Sequence, residues 1–135
     1  MEKIKDKWFY FPILILSIYL VIRLVNQYQS VITFPLDWTN DLTSYIALLF
    51  FLTKVGYHGC VPYWYNGFTL FNFTPPAWYY FTLPLTYLTN VSLATFLSRI
   101  LIYILGFITI WILGSKTQIS KTKRIAFFLF FFANA

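Results

Sequence analysis

The first long apolar stretch of the chain, WFYFPILILSIYLVIRLV, occupies residues 8–25 and follows three lysines within residues 1–7. A helix needs about twenty apolar residues to cross a bilayer, and Lys and Arg collect on its cytoplasmic side. The pattern predicts a transmembrane helix preceded by a cytoplasmic tail. A cleaved signal peptide is the alternative. We favour a retained anchor because RLVNQYQS, at the end of the run, offers no small-x-small cleavage pattern.

A second apolar stretch, SLATFLSRILIYILGFITIWILG, occupies residues 92–114, and four basic residues follow it within residues 115–124. This order predicts a second transmembrane helix and then a cytoplasmic loop. Residues 125–135 begin another apolar run that is about half the length of a span. We therefore expect the start of a truncated third transmembrane helix, in a fragment of a longer polytopic helical bundle.

Residues 26–91 form a large external loop if both basic flanks lie in the cytoplasm. Within the loop, DLTSYIALLFFLTKVG predicts a helix near residues 41–55, because it combines an apolar stripe with a terminal glycine. PPAWYYFTLPLTYLT predicts another near residues 75–89, since proline is tolerated in a first helical turn and Tyr and Trp favour interfaces. Each segment is short for a span. We expect either two interfacial helices or one re-entrant hairpin.

Composition supports an all-α integral membrane protein. The chain is 59% hydrophobic and 10% charged, against about 45–50% and about 25% for soluble domains. The net charge of +6 does not indicate nucleic-acid binding, because the basic residues flank the apolar stretches instead of forming one patch. We expect the plasma membrane as location, with membrane lipid and the remaining helices of the full-length chain as partners.

Two carboxylates, Asp37 and Asp41, are the acidic groups of the predicted external loop. On a helix beginning near residue 40, Asp41 and Tyr45 lie one turn apart on the same face. Asp41 either caps this helix by accepting backbone N–H bonds or points into a site above it. One His and one Cys beside two aspartates cannot complete a structural zinc site, whereas an open Mg²⁺ or Mn²⁺ site at Asp41 stays an alternative.

Arg99 lies about two turns into the second predicted span, near its external end. A charge at depth costs on the order of 3 kcal/mol on insertion scales, so an intramembrane arginine is a functional candidate. It could bind an anionic group, while snorkelling toward the interface is the structural alternative. Arg23, close to the end of the first apolar run, is expected almost at the interface.

Three segments in a fixed order, DLTSYIALLFFLTKVG, PYWYNGFTLFNFTPPAWYY and LPLTYL, carry a family resemblance. Together they resemble the first external loop of the GT-C membrane glycosyltransferases, above all the members related to 6-pyruvoyl-tetrahydropterin synthase. The resemblance covers about the last hundred residues. The family pattern has an Asp, a helix-ending Gly, a Trp, a second Gly and a Pro-Pro-x-x-Tyr-Tyr segment. These fall on Asp41, Gly56, Trp64, Gly67 and Pro75 to Tyr80.

The resemblance implies an enzyme that takes a sugar from a polyprenyl-phosphate donor on the external face. It implies Asp41 as the catalytic base or metal ligand, with Asp37 second. The family often has His where this chain has Tyr45. Aromatic rings with apolar faces and polar edges suit a sugar or isoprenoid, although an interfacial aromatic belt is the plain alternative. The substrate-binding candidates are Tyr45, Trp64, Tyr65, Trp78, Tyr79, Tyr80 and Arg99.

A non-enzymatic function is the competing hypothesis. A small membrane subunit or a transporter fragment, whose loop packs against a partner, explains the aromatic residues equally well.

Overall fold

The computed structural model describes residues 2–33, 41–57, 59–62, 67–72 and 74–133, and within them the chain is mostly helical. The elements are α1 (Glu2–Ile32), α2 (Leu42–Val55), β1 (Cys60–Val61), β2 (Phe68–Thr69), α3 (Ala77–Thr86), α4 (Val91–Lys116) and α5 (Lys121–Ala133). Two segments, Tyr10–Ile32 and Val91–Lys116, are long and apolar enough to cross a membrane. The helical architecture is confirmed at this level, and the small β-hairpin was not predicted.

The chain divides into two compact units, one formed by residues 29–99 and the other by residues 1–28 and 100–135. The first unit has its own hydrophobic core, drawn from α2, the hairpin region and α3. Its buried members are Leu49, Leu52, Val61, Leu70, Phe71 and Tyr79. The helices α2 and α3 lie inside the ranges predicted for them. The core residues that they share with the hairpin region hold the two short helices together.

Helix α2 ends at a glycine, as its sequence predicted. Gly56 has φ +72°, and its N–H donates to the Leu52 carbonyl oxygen. Glycine adopts this left-handed backbone without steric cost, which makes it the usual residue after a helix. The chain then turns back toward α2. A Cβ atom on Gly59 would collide with the carbonyl oxygen of Val55, so the close approach also needs glycine.

The β-hairpin follows this turn. Cys60 pairs with Thr69 and Val61 with Phe68 in antiparallel register, and the Leu70 N–H extends the ladder by donating to the Gly59 carbonyl oxygen (3.0 Å). A two-stranded hairpin this short is marginal in water without further packing. Here it is stabilised by burial, since Val61 and the following Leu70 belong to the core.

The second unit contains an antiparallel helical hairpin made by α4 and α5. Aromatic pairs occur at steps of four residues along both helices: Tyr103 with Phe132 (centroids 5.3 Å apart) and Phe107 with Phe128 (5.1 Å). Side chains four apart share one helix face, so these pairs mark the contact stripe. Gly106 lies on the same stripe, where a Cβ atom would collide with the Phe132 ring.

Helix α1 is longer than its apolar run predicted. It continues through the polar residues 26–30 to Ile32, seven residues beyond the predicted end of the span. Arg23 therefore lies nine residues before Ile32, about 13 Å along the helix axis. Its place near a membrane interface stays a prediction. Its guanidinium Nη1 donates to the backbone carbonyl oxygen of Ala133 (3.1 Å).

Candidate substrate site

Asp41 directly precedes α2, and its carboxylate does not cap the helix. The side chain is exposed and makes no cap hydrogen bond, while its backbone carbonyl oxygen accepts from the Tyr45 N–H (3.0 Å). Capping by this residue would have left the carboxylate bound to the backbone of its own helix. The sequence allowed two roles for Asp41, a helix cap or a carboxylate that points into a site, and the structure does not show the cap. The carboxylate is exposed at the start of α2.

Tyr45 connects this end of α2 to α3. Its ring lies 6.0 Å from the Trp78 ring in a T-shaped arrangement, with 61° between the planes. Tyr45 is 44% exposed and Trp78 is partly buried. Tyr45 lies one helical turn from Asp41, and its ring contact adds Trp78, which also has exposed surface. The candidate site consists mainly of this carboxylate and these aromatic rings.

Tyr79, next to Trp78, has an unusual hydroxyl group. The residue is 2% exposed, and its hydroxyl has no hydrogen-bond partner among the described residues. Burial, followed by the electrostatic interaction with Tyr45, raises the pKa of Tyr79 to about 12. Other buried hydroxyls, such as those of Thr82 and Ser98, donate to carbonyl oxygens of their own helices. An unpaired buried polar group costs free energy, so we treat the Tyr79 hydroxyl as a candidate ligand-binding group.

Tyr80 belongs to a second aromatic group. Its ring lies 5.5 Å from the Tyr57 ring and 6.2 Å from the Phe71 ring. Phe71 has φ +63°, a conformation that costs free energy for an aromatic residue, and it is buried against Tyr79 with ring centroids 4.8 Å apart. The sequence analysis did not identify Tyr57 and Phe71 as members of this group. No local sequence pattern predicts a phenylalanine with a left-handed backbone.

Arg99 does not belong to these ring contacts. Arg99 lies on α4, eight residues after Val91 or about 12 Å along the axis, and is partly buried. Asp37, Trp64 and Tyr65 fall outside the described residues. Their predicted roles stay predictions.

A metal centre at Asp41 lacks a ligand set in the described part of the chain. Over those residues, no group of three or more His, Cys, Asp or Glu side chains could hold a metal ion. Mg²⁺ and Mn²⁺ prefer several oxygen ligands, of which carboxylates are the strongest. The Mg²⁺ or Mn²⁺ site at Asp41 that the sequence left open therefore stays a prediction.

Comparison of the chain with protein-family models, curated proteins and solved structures gives no match. The likeness to the GT-C loop thus rests on the residues quoted for it alone.

Proposed function

We propose that this chain is the N-terminal part of a GT-C-like glycosyltransferase, which moves a sugar from a polyprenyl-phosphate donor to an acceptor on the external membrane face. One observation carries the proposal. The exposed Asp41 carboxylate does not cap α2 and lies one turn from Tyr45, which contacts Trp78. These residues lie outside both helices that are long enough to cross a membrane.

Asp41 acts as the general base in this proposal. It takes the proton of the acceptor hydroxyl while that oxygen attacks the anomeric carbon of the sugar. The bond between the anomeric carbon and the phosphate oxygen breaks, and the polyprenyl phosphate leaves with the electron pair. The configuration at the anomeric carbon inverts. A positioned base of this kind contributes about 10²- to 10⁴-fold to the rate.

The aromatic residues hold the sugar. Tyr45 and Trp78 offer ring faces to its apolar C–H surfaces, and their polar edges can bind hydroxyl groups. The buried Tyr79 hydroxyl provides a further hydrogen-bonding group, because no described residue occupies it. A buried polar group that the described residues leave unpaired favours substrates carrying the matching hydroxyl.

Arg99 binds the donor phosphate in this proposal. It lies on the longest apolar segment, α4, about 12 Å from the end at Val91. A lipid-phosphate donor brings its negative charge to the membrane surface while its tail stays in the bilayer. A partly buried arginine on a spanning helix suits such a group, since the phosphate offsets the cost of burying the cation.

The non-enzymatic alternative has one observation in its favour. The 18-residue window of the candidate span on α1 has none of its residues buried inside the chain, which leaves an apolar surface for lipid or for partner helices. A small subunit or a transporter fragment would use this surface and would need no chemistry at Asp41.

A transfer assay separates the two proposals. Membranes containing the full-length protein receive a polyprenyl-phosphate sugar labelled in the sugar, and release of label from the donor is measured. We expect Asp41→Asn to lower transfer by about 100-fold or more at unchanged protein abundance. Asp6→Asn is the matched control, because it makes the same change in the lysine-rich N-terminal segment, and it should keep the rate.

Asp37→Asn in the same assay tests the second candidate carboxylate. Transfer that is unaffected by Asp41→Asn, or that falls only in proportion to protein abundance, contradicts the enzymatic proposal.

A further inference from the structure

The turn between α4 and α5 has a fixed backbone conformation. Gln118 has φ +57°, its N–H donates to the Ser115 carbonyl oxygen (3.3 Å), and the Ile119 N–H donates to the Gly114 carbonyl oxygen (2.9 Å). This pair of bonds, with a left-handed residue between them, is the Schellman motif that satisfies the last carbonyl groups of a helix. The turn is therefore ordered by its own hydrogen bonds.

Arg124 reinforces the turn from α5. Its Nε donates to the Ile119 carbonyl oxygen (2.7 Å), and its guanidinium lies 5.2 Å from the centroid of the Trp111 ring. The side chain passes over Gly114, where a Cβ atom would come within 2.7 Å of the arginine Cγ. The Arg124 Nη1 also donates to the Trp111 carbonyl oxygen (3.4 Å), so the side chain is held by α4 through a hydrogen bond and a cation–π contact.

Three lysines around the turn differ from Arg124 in this respect. Lys116, Lys121 and Lys123 are exposed, and the sequence contains no Asp or Glu after Asp41. Ile119, between the lysines, is 43% exposed. One lysine at the end of α4 and two at the start of α5 therefore flank an ordered turn that carries one exposed apolar side chain.

We propose that this turn binds the phosphate of an anionic lipid headgroup. The turn begins where the candidate span Val91–Lys116 ends, so its lysines lie at headgroup level if α4 crosses the membrane. Lysines beside the end of a spanning helix attract anionic lipids, and the exposed Ile119 can enter the apolar layer next to the headgroup. The ordered backbone reduces the entropy lost on binding. A soluble phosphate would not use Ile119.

The test compares two triple variants of the full-length protein in detergent. Lipid binding is measured by native mass spectrometry with added phosphatidylglycerol and, separately, with phosphatidylcholine. We expect the wild type to prefer phosphatidylglycerol, and the variant with Lys116→Gln, Lys121→Gln and Lys123→Gln to lose about ten-fold or more of that affinity. The matched control carries Lys3→Gln, Lys5→Gln and Lys7→Gln, which remove the same charge elsewhere, and it should retain the preference.

Three results would overturn the proposal: equal binding of the two lipids, equal loss in the two triple variants, or displacement of the bound lipid by inorganic phosphate at equal concentration. If the lysine-to-glutamine variant fails to fold, the single variant Lys121→Gln replaces it, with a smaller loss of phosphatidylglycerol affinity expected. An unchanged affinity in that single variant would also count against the site.

Discussion

Tyr45 and Trp78 meet in a T-shaped ring contact with centroids 6.0 Å apart, and this contact joins the first turn of α3 to the beginning of α2. The exposed carboxylate of Asp41 lies one turn before Tyr45. The position of the proposed base relative to the sugar-binding rings therefore depends on an aromatic pair, in addition to the apolar core beneath it.

Trp78→Ala should destabilise the α2–α3 unit by about 2 kcal/mol. Truncation of a fully buried Trp costs about 3–5 kcal/mol, and Trp78 is only partly buried. Tyr45→Phe keeps the ring and should change stability by less than about 0.5 kcal/mol. Thermal unfolding of the purified protein in detergent measures both. Equal destabilisation by the two variants would mean that the Tyr45 hydroxyl, and not the ring contact, holds the helices.

Tyr79→Phe should stabilise the protein by about 1 kcal/mol near neutral pH, because it removes a buried hydroxyl that has no partner among the described residues. The same variant should lower affinity for the sugar donor if this hydroxyl binds substrate. Tyr80→Phe is the matched control, since Tyr80 is exposed, and its stability should stay near that of the wild type. A destabilised Tyr79→Phe protein would reveal a structural hydrogen bond.

The raised pKa of Tyr79 also predicts a pH dependence. Its pKa is about 12 in the folded protein against 10.0 for the unperturbed group. The unfolded chain therefore loses this proton first, and folding stability falls as pH rises from about 10 to about 12. Over this range the wild type should lose more stability than Tyr79→Phe. Parallel unfolding curves for the two proteins would show that the hydroxyl is solvated.

Gly106→Ala should destabilise the α4–α5 hairpin by about 1–3 kcal/mol, because the new methyl group would collide with the Phe132 ring. Truncating that ring in the double variant with Phe132→Ala should remove the clash, so the two changes should be strongly non-additive. Thr109→Val, at an exposed position of the same helix, is the control and should be nearly neutral. Additive effects of the two changes would contradict the packing.

Arg124→Gln should lower stability by about 1–2 kcal/mol, since it loses the cation–π contact with Trp111 and the charged hydrogen bond to the Ile119 carbonyl oxygen. Lys123→Gln, the neighbouring exposed cation, should have no measurable effect on unfolding. Thermal unfolding in detergent again gives the comparison. Similar losses in both variants would indicate a general effect of charge.

Much of the helical framework was predictable because its signals are local. Three kinds of local signal can be recognised without tertiary information. They are the two long apolar stretches, the glycine that ends α2 and the Pro75–Pro76 pair before α3. The end of α1 was not, because polar residues 26–30 are compatible with a helix although they end the apolar run.

The residue types of the candidate site come from the sequence, whereas its geometry could not be predicted from the sequence. The left-handed Phe71, the close approach of Gly59 to Val55 and the Schellman turn at Gln118 all depend on packing or on backbone conformations that sequence pattern does not encode. The absence of a side-chain cap at Asp41 is likewise a matter of local backbone angles, since the sequence favours a cap there.

Donor binding at the Asp41–Trp78 site can be measured without knowing the acceptor, which makes it the most direct test of the central proposal. A polyprenyl-phosphate sugar with a photoreactive group on the sugar is irradiated with the full-length protein, and the labelled peptides are mapped. We predict labelling within residues 41–45 and 76–80 that unlabelled donor suppresses. Labelling confined to other segments, or labelling there that excess donor leaves unchanged, would contradict a sugar site at this position.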